Sequence, residues 1–196
     1  MNKANKKVNK LLLILLIITV ISFIIGSLFI SILDDVGKDL IKESINGYFN
    51  GVFDGKIDYI SGLYSILPRN VFSNIFIWLI GISIIGIFIV SGLLVFKSFL
   101  VGFSLSSIIY TYGFKGLLIS VIYIIPEIIN LFIVFLLTYY SISFSLLLFN
   151  YLFRKKECNR RVIMKRYIKI FIICIGITIL NSLISIFLIP NLLRMF

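Results

Sequence analysis

The chain has 196 residues, 60% of them apolar and only 14% charged, with 19 basic residues against 8 acidic ones and a formal net charge of +11. A soluble domain carries roughly a quarter of its residues as charges to cover its surface, so this composition excludes a soluble globular fold. Histidine is absent, which removes imidazole acid–base, nucleophile-activating and ligand chemistry.

The charges lie in clusters separated by long uncharged runs. About 20 apolar residues cross the hydrocarbon core as a helix, at 1.5 Å of rise each. The runs lack the period-two alternation of a membrane barrel. The expected fold is therefore all-α, a polytopic helical bundle of about five transmembrane helices in a single integral membrane domain.

Lys3, Lys6, Lys7 and Lys10 make residues 1–10 a basic tail, and residues 11–33 form the first span. This run is longer than a signal-peptide core and is followed by no small-residue cleavage site. It reads as an uncleaved signal anchor with the N-terminus in the cytoplasm.

Residues 34–70 are the one sizeable polar segment and are expected on the outer face. Six acidic residues (Asp34, Asp35, Asp39, Glu43, Asp54, Asp58) stand there against Lys38, Lys42, Lys56 and Arg69. Val36, Leu40, Ile45, Phe49, Val52 and Phe53 recur at roughly helical spacing, as in a helix lying on the membrane surface. Asn46-Gly47, Asn50-Gly51 and Asp54-Gly55 are turn dipeptides. Read as a helix, Gly47, Gly51 and Gly55 form a small-residue stripe that accepts another helix; read as turns, they break it. An interrupted amphipathic helix is expected. Val36, Leu40, Ile45, Gly47, Phe49, Gly51, Val52 and Gly55 are its candidate partner-docking residues.

The second span is expected over 71–96, closed by Lys97 on the cytoplasmic side, with Trp78 as an interfacial anchor. A shorter third span follows over 98–112. Residues 117–153 hold one charge, Glu127, directly after Pro126. Because proline disrupts a helix near the preceding residue, a half-helix is expected to end near Ile125 and a full fourth span to run on to 153. The third span and the half-helix would then form a partly inserted hairpin.

Residues 154–169 are a basic loop on the cytoplasmic side, and 170–189 form the fifth span. Twelve of the basic residues fall in the N-terminal tail and this loop, the pattern of the positive-inside rule. That placement assigns the positive charge to anionic lipid headgroups and excludes nucleic acid as the partner. Cys158 and Cys174 have no ligand cluster around them and read as unpaired thiols, with neither a metal site nor a disulfide.

Glu127 is the one ionisable group between apolar runs, and an intramembrane carboxylate is a candidate for proton or ion transfer. With no second intramembrane charge to pair with, it is expected at an interfacial turn. Asn130 and Asn181 are expected to hydrogen-bond between helices. No catalytic dyad or phosphate-cradling glycine loop appears, so neither enzymatic activity nor a cofactor is expected.

Several motifs occur in a fixed order: Trp78-Leu79-Ile80-Gly81-Ile82-Ser83-Ile84-Ile85-Gly86, then 96–103 (FKSFLVGF), then 112–118 (YGFKGLL), then Ile125-Pro126-Glu127. This series resembles the stage II sporulation protein M family, whose length and five-span layout are also similar. Many members of that family carry His-Gly and a following Glu after the proline; the positions here read Glu127, Ile128 and Leu131. The resemblance implies a non-enzymatic membrane scaffold that recruits stage II sporulation proteins P and D to the mother-cell membrane at the septum during engulfment. These proteins cut peptidoglycan. The alternative is a small transporter or channel subunit built on a broken helix at Pro126-Glu127. Homo-oligomerisation stays open in both.

Overall fold

The computed structural model describes residues 3–53, 58–154 and 160–193. Among them there are helices and no strands: α1 (Lys3–Ile32), α2 (Asp35–Phe53), α3 (Tyr59–Ile80), α4 (Gly86–Arg154), α5 (Arg160–Leu183), a π turn (Ile184–Leu188) and α6 (Ile189–Leu193). Four helical stretches are long and apolar enough to cross a membrane, within α1, α3, α4 and the α5–α6 unit. The chain is an all-α membrane bundle, as its composition requires.

α4 is 69 residues long, more than twice what a bilayer needs,. It folds back on itself at Gly113, whose φ of 57° and ψ of −127° only glycine adopts readily,. Past the bend, a Cβ on Gly116 would stand 2.6 Å from the carbonyl oxygen of Ile108. Residues eight apart touch there because the two arms, 86–112 and 114–154, run side by side. The bundle therefore has five passes.

Hydrogen bonds between side chains and neighbouring helices give the directions. Ser98 donates to Thr19 O and Ser106 to Ser27 O, both at 2.7 Å and both with a sequence offset of 79. A constant offset means that α1 and the first arm of α4 are parallel. Asn74 pairs with Thr178 and Asn70 with Ser182, so α3 and α5 are antiparallel. Asn130 pairs with Asn70, and Ser145 donates to Ser83 O, so α3 and the second arm are parallel. All five passes are consistent with one up–down arrangement. α2, the Gly113 bend and α6 lie at one end; the 81–85 turn lies at the other.

Several sequence-based boundaries shift. The second pass is Tyr59–Ile80, not 71–96, because Asp58 caps a helix that starts twelve residues before Val71. Its carboxylate accepts from the amides of Ile60 (3.1 Å) and Ser61 (3.2 Å). Pro68 sits inside this helix. The expected second span is split at 81–85, where Ser83 N bonds Ile80 O and Gly86 N bonds Ser83 O. The third pass is accordingly a full crossing over 86–112 rather than a short one. The expected interruption at Pro126 is absent, since Pro126 lies within continuous helix. Proline here removes only the amide that would bond the Ile122 carbonyl, and membrane helices tolerate that loss; Asn181 Nδ2 donates to the carbonyl of Pro126 itself at 2.8 Å and ties α5 to this arm. The break falls at Gly113 instead. Arg160–Lys169, taken as loop, begins α5.

α2 is one continuous helix through Asn46-Gly47 and Asn50-Gly51. Tertiary packing overrides the turn dipeptides: Phe49 and Val52 anchor a buried cluster with Ile108, Ile119, Ile189 and Leu193. A second cluster, around Ile77, Leu94, Ile133 and Leu137, fills the bundle toward the 81–85 turn.

Candidate functional site

Between these two apolar clusters lies a polar layer. Arg69 stands eleven residues above the end of α3 at Ile80, and Lys97 eleven residues above the start of α4 at Gly86. At 1.5 Å per residue that is about 16 Å, half the thickness of a hydrocarbon core of about 30 Å. Lys97 therefore does not close a span at the membrane surface; it is at mid-depth. Arg69 does not belong to an outer loop either.

Both residues line one cavity of about 470 Å³ together with Glu127, Tyr123, Ser104 and Asn70, over an apolar floor that includes Ile77, Leu93 and Val134. Glu127 thus shares its surroundings with two cations, which corrects the expectation of an isolated interfacial carboxylate. Within 4.0 Å, though, none of the three makes an ion pair; the described residues contain one such pair, Lys38–Asp35 at 3.9 Å on α2. A cation at mid-bilayer costs about 2.5–3.5 kcal/mol on insertion scales. Both line the cavity, and Arg69 is exposed while Lys97 is half-buried.

A larger chamber of about 610 Å³ adjoins on the α2 side. Arg69, Ser104, Tyr123 and Glu127 line both spaces. α2 roofs this chamber with Leu40, Ile41, Ser44, Ile45, Tyr48 and Phe49, while Ser65, Ser107 and Ser185 add hydroxyls to its walls. Burial pushes the Tyr48 phenol above its ordinary pKa, so it stays protonated and able to donate. Lys42 lies 5.0 Å over the Tyr110 ring and helps hold α2 to the bend,.

The wall positions are fixed by asparagines. Asn130 Nδ2 donates to Asn70 Oδ1 and Asn70 Nδ2 to Ser182 Oγ, each at 3.2 Å. With Asn181 on Pro126 O, these bonds tie α3, the second arm of α4 and α5 together beside Arg69 and Glu127. Asn130 and Asn181 do bridge helices, as their sequence positions suggested. Trp78 lies two residues before the end of α3, where it stacks on Phe171 with ring centroids 4.6 Å apart and Tyr167 OH donates to its carbonyl.

The docking candidates separate. Val36 is 69% exposed and Leu40 59%, whereas Phe49 and Val52 are buried in the chain's own core. Ile45 packs against that same cluster. Gly47 and Gly51 line a groove of about 370 Å³ between α2, the start of α3 and α6, and a Cβ at either would meet nothing within 4 Å. Gly55 and Cys158 lie outside the described residues. Cys174 is buried. Among the described residues there is no group of three metal-ligating side chains.

Arg69 and Lys97 were missed as site residues although two local signals bear on them. Asp58-x-x-Ser61 is a helix start, and Gly81-x-Ser83-x-x-Gly86 is a turn; together they centre both cations in their helices. Compared with known proteins, the chain matches no family model, no curated protein and no solved structure.

Proposed function

We propose that this chain is a non-enzymatic membrane scaffold that recruits peptidoglycan hydrolases to the septum during engulfment, with stage II sporulation proteins P and D as its partners. One observation carries the reading. The motifs that resemble the stage II sporulation protein M family coincide with the points that determine this fold. Gly81 and Gly86 bound the 81–85 turn, and each leaves no room for a Cβ. Gly102 is where α4 touches α1, and Gly113 with Gly116 makes the bend. A shared series of such constraints supports a shared fold, and from it the shared role.

The basic N-terminal tail and the basic 154–169 segment orient the 81–85 end toward the cytoplasm. α2 then faces outward, where exposed Val36 and Leu40 are available to a membrane-anchored hydrolase. The test is deletion of the gene in a sporulating cell, with septal membranes imaged and hydrolases localised. Stalled engulfment with dispersed hydrolases is the expected result; normal engulfment with septal hydrolases would sink the proposal.

A second reading, a small transporter or channel subunit, is favoured by the two-chamber polar cavity alone. It no longer rests on a helix broken at Pro126.

A further inference from the structure

Among the described residues, those that line the cavity carry a charge imbalance. Arg69 and Lys97 bring two positive charges and Glu127 one negative charge to the same space. None of them contacts another within 4.0 Å, so neither cation is neutralised by direct pairing. Arg69 is exposed and Lys97 half-buried, and like charges that face one space draw an ion of opposite sign into it. The geometry asks for an anion of about one net charge that can sit between separated cations.

A phosphate group has that character. Its several oxygens accept from a guanidinium in pairs and from an ammonium as a point charge, and as a diester or monoanion it carries one charge. Ser104 and Tyr123 line both spaces with hydroxyls to donate. Two adjoining chambers of about 610 and 470 Å³ fall within the range of small-molecule sites, roughly 300–1,000 Å³,. The larger one, with Leu40, Ile45 and Ile66 among its lining residues, takes an apolar or neutral remainder of the ligand.

We propose that this cavity binds a phosphate group that enters from the α2 end and bridges Arg69 and Lys97. The phosphate is carried by a soluble molecule or by a lipid headgroup. Glu127 repels the phosphate, so the two cations and not the carboxylate hold it. This site is independent of hydrolase recruitment, and it requires binding without requiring transport.

The full chain, purified in a phosphate-free maltoside detergent, is tested with two probes: radiolabelled inorganic phosphate and short-chain phosphatidylglycerol. Saturable, equimolar binding of inorganic phosphate identifies a soluble source. Binding of phosphatidylglycerol alone identifies a headgroup. Binding of neither overturns the proposal.

Arg69→Met and Lys97→Met should each weaken binding about tenfold or more, since each removes a charge-assisted contact. Wild-type affinity in both folded variants would also overturn it. Glu127→Gln should instead tighten binding of either probe, by removing a like charge. If the methionine variants fail to fold, Glu127→Gln decides: tighter binding supports the site, and unchanged or weaker binding refutes it.

Discussion

The seam between α1 and the first arm of α4 and the cavity beneath α2 share that arm as a common wall, yet they pack in opposite ways. At the seam, Ser98, Gly102 and Ser106 recur every four residues, and Gly26 opposes them from α1. Cβ atoms at Gly26 or Gly102 would overlap the carbonyl oxygens of Phe99 or Phe23, so the backbones touch. Across the arm, Lys97 and Ser104 face open space. In lipid there is no hydrophobic gain from bringing helices together, so close packing of small residues has to supply it. Where long charged side chains replace small ones, helices stay apart and polar volume remains. One helix face thus serves as glue and another as a wall.

The largest expected effect breaks the glue. Gly102→Leu drives a side chain into the Phe23 carbonyl, and backbone cannot yield as a side-chain tip does. Stability should fall by about 3 kcal/mol or more, the upper end of overpacking costs, as read by detergent-induced unfolding. Gly51→Leu is the matched control, because a Cβ there meets nothing within 4 Å. It should change stability by less than about 1 kcal/mol, in the stabilising direction that helix propensity gives. Equal losses at the two positions would erase the distinction between seam and groove.

A middle-sized effect is expected where polar side chains join helices. Asn74 and Thr178 are fully buried and bonded at 2.7 Å. Asn74→Leu should cost about 0.6–1.7 kcal/mol, the measured range for such bonds in membrane bundles, and a double-mutant cycle with Thr178→Val isolates it.

The smallest effect is at the water-facing start of α3. The Ser61 hydroxyl first, then the Ser61 and Ile60 amides, hold the Asp58 carboxyl below its ordinary value of 3.8. A depressed carboxylate pKa stabilises the folded state fully above the unfolded value and loses that contribution as pH falls through the folded one. Protection at Ile60 and Ser61, as exchange relative to the intrinsic amide rate at each pH, should therefore fall as the pH drops below about 4,. Asp58→Ala should show the low protection at neutral pH as well.

The fold class was legible because lipid imposes one rule everywhere: satisfy the backbone internally. The site was not, and the reason is specific. Arg69 sits after Pro68 and a polar stretch, so it reads as the last residue of an outer loop. Lys97 ends an apolar run, so it reads as that run's boundary. Both readings follow from treating a charge as a limit of the membrane. Glu127 was found as a residue but not as a member of a group, because its neighbours come from two other helical passes. Pro126 and Gly113 exchanged roles for a related reason: a membrane helix can run through a proline, but a positive φ at Gly113 turns the chain back.

The offset of 79 between α1 and its parallel partner has a meaning in time. At about 5–20 residues per second of synthesis, the first helix waits about 4–16 s before the helix that fits its Gly26 face exists. α3, carrying Arg69, emerges during that wait and before Asn130 or Ser182 has been made. α1 can linger in lipid alone, since from Leu11 to Ile32 it carries no charge. α3 cannot do so cheaply. The order of manufacture therefore gives each helix a different period of exposure, and the apolar first helix is the one suited to be early.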